Sequence, residues 1–252
     1  MLINCSTISL ATNAMPTPRL PINQRFALLS KAVQMVAAGG APSLIVVGPP
    51  GLGKSYAVVR TLEVMGLLRD ADFFVIKGFS SARALYEKLY EHNGRLTIVD
   101  DCDHALSDAT AIALLKGALD SDRVRTLSWL TAAKTADLFP KTFEFHGQMI
   151  FISNLAMHEI NGPVRTRSLL MNLEMTRGEI LERMETILPR LEIPHLRLQP
   201  TPNQRRAAMD FIQELAPSIP ELNLRTLCAV LRIILAHPSD WKPLATYFVT
   251  QG

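Results

Sequence analysis

One stretch of the chain, residues 44 to 55, restricts the possible fold more than any other. It reads LIVVGPPGLGKS, in which four apolar residues run into a loop of glycine and proline that ends in lysine and serine. The apolar run is typical of a buried strand, and the residues that follow, SYAVVRTLEVMGLL, have the apolar spacing of a helix. The sequence therefore predicts a strand, a tight loop and a helix in direct succession.

The loop between them, residues 48 to 55 (the glycine loop), matches the pattern G-x-x-x-x-G-K-[ST]. Its glycines allow backbone N–H groups to close around a triphosphate, an approach that side chains would block. The positive end of the following helix adds to the attraction. We expect Lys54 to reach the β- and γ-phosphates of ATP and the Ser55 hydroxyl to bind Mg²⁺. The predicted nucleotide-binding residues are Gly48, Pro49, Pro50, Gly51, Leu52, Gly53, Lys54, Ser55 and Tyr56.

Two acidic residues at the end of another buried strand predict the rest of a metal site. The run LTIVDD ends in Asp100 and Asp101. Phosphate-loop chemistry needs a carboxylate on a neighbouring strand to hold the water shell of the metal, and Asp100 is the predicted residue. Asp101 stands where many hydrolysing enzymes of this kind carry a glutamate that orients the attacking water, and it is one methylene shorter. The alternative for both residues is that they cap the next helix.

Up to about residue 175 the sequence alternates between apolar strands and helices. Because the strand candidates are apolar throughout, we expect a parallel sheet covered on both faces. The predicted fold class is α/β, with a five-stranded parallel sheet followed by a small all-α domain. Two further strand candidates, VRTLSWL and TFEFHG, flank a lysine-containing loop and are predicted to form a hairpin inserted into the main fold.

The character of the chain changes at Thr176, where Thr176 and Glu179 fit a capping box and helical spacing follows. We therefore divide the chain into an N-terminal arm or tail (1–20), an α/β nucleotide-binding domain (21–175) and a helical domain (176–252).

Composition excludes some classes of protein and favours a globular one. The chain has 252 residues, 48% of them apolar, and a net charge of +3, which is compatible with a polyanionic partner without arguing for one. Its three cysteines form no CxxC pair, which favours reduced thiols. No window approaches the length of a membrane helix and the start does not look like a signal peptide, so we expect a cytoplasmic protein with no membrane association.

The order of the motifs resembles that of the AAA+ ATPases. GPPGLGKS, the acidic strand end, the strand MIFISN, the run VRTRS before a further strand and the helix start LNLRTL follow one another as in that family, from about residue 25 onward. The fold class implied is a P-loop NTPase sheet with a C-terminal helical lid. The compact lid and bare ends also resemble AAA+ proteins encoded by bacteriophages, in which case the compartment is the host cytoplasm.

The resemblance implies further catalytic residues. Asn154, which ends the fourth strand, would sense the γ-phosphate, and an arginine before the fifth strand would project into the ATP site of a neighbouring subunit. Arg167 fits this position best, and Arg165 is the second choice. Arg225 in the lid would contact the phosphates. The resemblance therefore implies a homo-oligomer, with a hexamer favoured, that binds ATP between its subunits. Each of these residues has an alternative without a catalytic role. Asn154 would simply end a strand, Arg165 and Arg167 would be a solvated pair, and Arg225 would lie on the surface of an amphipathic helix.

The leading functional hypothesis is a Mg²⁺-dependent AAA+ ATPase that acts as a ring-forming motor or switch on a DNA or protein substrate. A nucleotide-controlled DNA-binding loader or scaffold with slow hydrolysis is the alternative, motivated by the short Asp101 side chain and the mildly basic charge. A metabolite kinase is a third option. The sequence contains neither the LSGGQ run of transporter ATPases nor the NKxD run of GTPases. Phe79 is the nearest candidate for a pore aromatic, and the loop Thr131–Lys141 is a candidate for facing a channel.

Overall fold

The computed structural model describes residues 20–78, 81–130, 139–193 and 196–251. The predicted arm (1–20) lies outside the described residues except for Leu20, and so do Phe79 and most of the loop Thr131–Lys141. The strands in the described ranges are β1 (Ser43–Val47), β2 (Phe73–Lys77), β3 (Leu96–Asp100), β4 (Arg125–Ser128), β5 (Thr142–Phe145), β6 (Gln148–Ser153) and β7 (Leu169–Asn172). The helices are α1 (Ile22–Ala37), α2 (Lys54–Val64), α3 (Ala82–Glu91), α4 (Ala109–Ala118), α5 (Gly162–Arg165), α6 (Arg177–Ile187), α7 (Pro202–Leu215), α8 (Leu224–Ala236) and α9 (Trp241–Thr250).

A parallel sheet of five strands forms the centre of the α/β part, in the order β2-β3-β6-β1-β7. Strand β1 alternates between two hydrophobic clusters: Ile45 and Val47 pack with α3 and α4, whereas Leu44 and Val46 pack with α1 and α2. Strands that are buried on both faces in this way are the ones that read as continuous apolar runs in a sequence. The predicted α/β fold class, with five parallel strands covered by helices, is confirmed.

The remaining two strands, β4 and β5, pair antiparallel as a separate two-stranded sheet. Leu127 of β4 and Phe145 of β5 are buried and join the cluster beneath α4. The predicted hairpin inserted into the main fold is therefore present, and it packs against the same face as α3 and α4.

Helices α6 to α9, the helical part, share a core of their own. Helix α6 begins with the predicted capping box: Thr176 Oγ1 accepts a hydrogen bond from the Glu179 backbone N–H, and the Glu179 carboxylate accepts one from the Thr176 N–H. The predicted small all-α region after the sheet is confirmed, while the boundary between residues 175 and 176 stays a prediction.

Helix α1 connects the helical part to the sheet. The buried Arg25 side chain forms an ion pair with Glu179 of α6 and donates a hydrogen bond to the Glu174 carbonyl oxygen (2.6 Å). The Arg183 guanidinium of α6 lies 3.9 Å from the centre of the Phe26 ring. Both contacts fix α6 against α1. No helix within the described ranges is long and apolar enough to cross a bilayer.

Candidate functional site

The glycine loop lies at the carboxyl end of β1 and leads directly into α2, as the sequence predicts. Gly53 caps α2 with a φ of 81° and provides no side-chain hydrogen bond to the first helical turn. The first backbone N–H groups of a helix lack partners within the helix, so this end of α2 is suited to an anion.

Two glycines of the loop are required by close contacts. A Cβ atom on Gly48 would lie 3.1 Å from the backbone carbon of Leu173. A Cβ atom on Gly51 would lie 2.8 Å from Cγ of Asn223, and Gly51 also has a φ of +76°. The loop is thus packed between the end of β7 and the start of α8, and a side chain at either position would force Leu173 or Asn223 to shift.

Lys54 is buried and held by neutral oxygens. Its Nζ donates hydrogen bonds to the carbonyl oxygens of Gly48 (2.5 Å) and Pro49 (2.9 Å) and to Oδ1 of Asn154 (2.9 Å). Burial lowers the pKa of Lys54, and the nearby carboxylates of Asp101 and Asp100 oppose that shift. The ammonium is therefore poorly solvated, and its present partners are all uncharged.

Ser55 and Asp100 form the second part of the site. The Ser55 hydroxyl donates a hydrogen bond to Oδ1 of the buried Asp100 carboxylate at 2.6 Å. These are the oxygen donors that Mg²⁺ prefers, and Mg²⁺ is usually bound by one or two protein groups together with phosphates and water. In the described part of the chain no group of three or more His, Cys, Asp or Glu side chains is arranged to hold a metal. Ser55 and Asp100 therefore fit Mg²⁺, and the phosphate oxygens of a nucleotide would supply further ligands.

Asn154 connects Lys54 to Asp101. Its Oδ1 accepts the bond from Lys54, and its Nδ2 donates to Oδ1 of Asp101 at 3.0 Å. Asp101 has a φ of 55°, in the left-handed region that aspartate tolerates better than most residues. The structure brings Lys54, Ser55, Asp100, Asp101 and Asn154 together at one edge of the sheet.

The start of α8 places Arg225 beside this group. The Leu224 backbone N–H donates to the Gly51 carbonyl oxygen at 3.0 Å, and the Asn223 side chain caps the helix by accepting from the N–H of Arg225 at 2.8 Å. The positive charge of Arg225 contributes to lowering the pKa of Lys54, so the two cations lie within electrostatic range of each other.

Arg165 and Arg167 lie apart from the glycine loop of their own chain. The Arg165 guanidinium donates to the Met157 carbonyl oxygen (3.2 Å), and that of Arg167 donates to the Pro163 carbonyl oxygen (3.1 Å). Arg167 also lies 3.9 Å from the Asp120 carboxylate, and both partners of this pair are about one third exposed. Within the described ranges neither arginine bonds to the glycine loop, to Asp100 or to Asp101.

The other residues of the loop differ in exposure. Pro49, Pro50 and Tyr56 are exposed, so the Tyr56 side chain faces solvent. Leu52 is 2% exposed, and its side chain packs in the core of the helical part. Any contact of Leu52 with a nucleotide would therefore come from its backbone.

Three residues near the site were not predicted. The Asp103 carboxylate accepts hydrogen bonds from the Ser153 hydroxyl (2.5 Å) and the Asn154 N–H (3.3 Å), which holds the strand end that carries Asn154. Asn223 caps α8, and an asparagine three residues before Thr226 is a sequence signal for such a cap. Lys77 forms an ion pair with Asp100, and nothing in the local sequence indicates this contact.

Comparisons with known proteins give two informative likenesses. No protein family model matches the chain. An uncharacterized 36.7 kDa protein from the nrdC–mobD intergenic region of Enterobacteria phage T4 is 24% identical over 245 residues, which cover 91% of this chain and 75% of the phage protein. A variant of Thermotoga maritima RuvB has a similar structure, with a TM-score of 0.51 and 16% identity over 86% of this chain and 64% of RuvB. The chain thus spans under two thirds of the length of RuvB, and the likeness concerns the fold.

Proposed function

We propose that this chain, which has the fold of the AAA+ P-loop ATPases and a relative in a bacteriophage, hydrolyses ATP with Mg²⁺ and acts on a macromolecular substrate. The observation that carries the proposal is the continuous set of hydrogen bonds from Lys54 through Asn154 to Asp101, next to the Ser55–Asp100 pair. These bonds bring Lys54, the Ser55–Asp100 pair and Asp101 to one edge of the sheet, which supports their roles in binding phosphate, holding the metal and orienting water.

The environment of Lys54 supports nucleotide binding. Its ammonium is buried and bonded to neutral oxygens, so phosphate oxygens of ATP would make stronger, charge-assisted bonds with it. The N-terminal end of α2 and the backbone of the glycine loop would bind the remaining phosphate oxygens. Ser55 and Asp100 would hold Mg²⁺, which when bound would offset negative charge on the phosphates.

Hydrolysis would depend on Asp101 and Asn154. Oδ1 of Asp101 accepts a bond from Asn154, and the exposed side chain leaves the second oxygen for a water molecule. Asn154 would orient that carboxylate and sense the terminal phosphate. Arg225, at the start of α8, would add positive charge on the side of the helical part.

Arg167, with Arg165 as second choice, would act on the ATP site of a neighbouring subunit. Support comes from its position: the guanidinium is partly exposed and does not bond to the glycine loop of its own chain in the described ranges. A head-to-tail ring, with a hexamer favoured, would bring one arginine to each site.

The proposal also includes the division of the chain into a nucleotide-binding domain (21–175) and a helical lid (176–252). It places the protein in the cytoplasm, which would be the cytoplasm of the host if a phage encodes the chain.

The experiment that tests the proposal compares ATP binding and phosphate release for wild-type protein and Lys54→Ala. We expect Mg²⁺-dependent phosphate release without any added acceptor from wild type, and neither binding nor release from the variant. Lys88→Ala, which changes a surface lysine of α3, is the matched control and should behave as wild type. The proposal would be refuted if the wild-type protein bound no nucleotide. If it transferred phosphate only to an added small acceptor, it would be a kinase.

The second candidate function is a DNA-binding loader or scaffold with slow hydrolysis. The observation that favours it is the Asp101 side chain, which is one methylene shorter than glutamate and accepts a hydrogen bond from Asn154. Retention of single- and double-stranded DNA on filters across a salt series, with and without ATP, separates the two functions. Retention that depends on ATP and falls steeply with salt, together with slow phosphate release, would support the loader.

A further inference from the structure

Lys77 and Asp100 end two neighbouring strands and face each other. They are paired in the parallel register of β2 and β3, each as the last residue of its strand. The Lys77 Nζ lies 3.1 Å from Oδ2 of Asp100. The other oxygen, Oδ1, accepts the bond from the Ser55 hydroxyl, so both oxygens of the proposed metal ligand have partners.

The two side chains of this ion pair differ greatly in burial. The Asp100 side chain is 2% exposed and the Lys77 side chain is 61% exposed. A buried carboxylate without a counter-charge is costly in free energy. The Lys54 ammonium bonds to Gly48, Pro49 and Asn154 instead, so Lys77 provides the direct ion pair to Asp100.

The space beside the pair allows the lysine to move away. An open cavity of about 190 Å³ is lined by Ser55, Lys77 and Asp100 together with Arg60, Glu63 and Arg69. The Lys77 ammonium would be hydrated again if it left the carboxylate, because its side chain is exposed and flexible. The loss of this partner would be expensive for Asp100 unless another cation replaced the ammonium.

We propose that Lys77 occupies the cation position at Asp100 in the metal-free protein and competes with Mg²⁺ for this carboxylate. The inference rests on the proposed function and concerns the regulation of the same site. Because a divalent ion and an ammonium repel each other, binding of the metal at Asp100 displaces the Lys77 side chain toward solvent. Lys77 thereby stabilises the metal-free protein and raises the Mg²⁺ concentration that the site requires.

The test measures ADP affinity by calorimetry, in EDTA and in Mg²⁺, so that no turnover is involved. The measured quantity is the ratio of the two dissociation constants. The ratio is the dissociation constant in EDTA divided by that in Mg²⁺. We expect this ratio to be about fivefold larger for Lys77→Met than for wild type. Lys77→Arg keeps the charge and should stay near wild type. The control is Lys88→Met, which removes a surface lysine paired with Glu91 at 2.6 Å. An unchanged or smaller ratio for Lys77→Met would overturn the inference.

Thermal unfolding provides a readout that needs no nucleotide. We expect Lys77→Met to lower the midpoint in EDTA more than Lys88→Met does, and Mg²⁺ alone to restore more stability to Lys77→Met than to wild type. If Lys77→Met and Lys88→Met had equal unfolding midpoints, both in EDTA and in Mg²⁺, the competition between Lys77 and Mg²⁺ at Asp100 would be contradicted. If wild type bound no ADP in either buffer, the proposed function would fail, and the unfolding data would still decide whether Lys77 and the metal compete.

Discussion

The backbone N–H of Leu224 donates a hydrogen bond to the carbonyl oxygen of Gly51 at 3.0 Å, which joins the first residue of α8 to the centre of the glycine loop. The neighbouring Leu52 side chain enters the core of the helical part, and Asn223 packs against Gly51. The loop that would bind phosphate is therefore also a structural part of the helical region. A change in the loop backbone on nucleotide binding would be transmitted directly to α8.

The first prediction concerns this connection. Leu52→Ala removes a buried side chain that joins the loop to the helical core, and we expect it to lower the free energy of unfolding by about 3 kcal/mol. Because the loop loses its anchor, ADP affinity should fall as well. Urea unfolding and calorimetry measure the two effects. Leu198→Ala, at an exposed position, is the control and should change neither. Undiminished ADP affinity in a destabilised Leu52→Ala protein would argue against the coupling.

The second prediction separates binding from hydrolysis. Asp101→Asn keeps the size of the side chain but removes its ability to accept a proton, so kcat should fall by about 100-fold to 10,000-fold. ATP affinity should stay close to wild type, since Lys54 and Ser55 are unchanged. Steady-state phosphate release and equilibrium binding measure the two quantities. Full turnover by this variant would show that hydrolysis does not need the Asp101 carboxylate.

The third prediction tests the arrangement of subunits. Arg167→Ala and Asp101→Asn should each be inactive, because every site lacks one catalytic group. Mixing the two in equal amounts should restore about a quarter of the wild-type sites, at interfaces where an intact arginine meets an intact aspartate. ATPase activity of the mixture, before and after exchange of subunits, is the measurement. If Arg167→Ala alone is active, the same mixture with Arg165→Ala distinguishes the two candidate arginines.

The fourth prediction concerns pH. Burial, together with the negative charge of Asp100, raises the pKa of the Cys102 thiol from 9.0 to about 11. The unfolded chain loses this proton near pH 9 and the folded chain near pH 11. The resulting contribution to stability is fully present below pH 9 and is lost as the pH rises toward about 11.

We therefore expect the free energy of unfolding to decline over that pH range more in wild type than in Cys102→Ala, as chemical unfolding at several pH values would measure. The same raised pKa predicts that iodoacetamide at pH 8 labels Cys102 slowly in the folded protein and readily after unfolding. Mass spectrometry of the labelled peptides provides that check. Rapid labelling of Cys102 in folded protein would contradict the burial of this thiol.

The sequence alone was sufficient for the sheet and for the glycine loop, because both depend on local signals. The strand around Ile45 is apolar on both faces, and Gly51 and Lys54 belong to a pattern with a specific chemical use. The proximity of Asp100 to Ser55 was also predicted, but the carboxylate is not on the strand next to β1, because β6 lies between β1 and β3.

Contacts between distant segments were not predictable in the same way. The pairing of Lys77 with Asp100 depends on which strand lies next to β3 and in which register, and the sequence does not specify either. An apolar residue such as Leu52 could have packed on the sheet or on the helices, and only the folded chain shows which. The proposed role of Arg167 involves a neighbouring molecule, so a single chain does not display it.

The ion pair between Arg25 and Glu179 has a practical consequence for truncated versions of this protein. A fragment designed to begin at β1 would omit α1 and with it the Arg25 guanidinium, which contacts α6. Such a fragment would retain every proposed catalytic residue and yet expose the apolar underside of α2. Recombinant versions for biochemical work should therefore start before Ile22, and fusion partners are better attached upstream of that residue than immediately before β1.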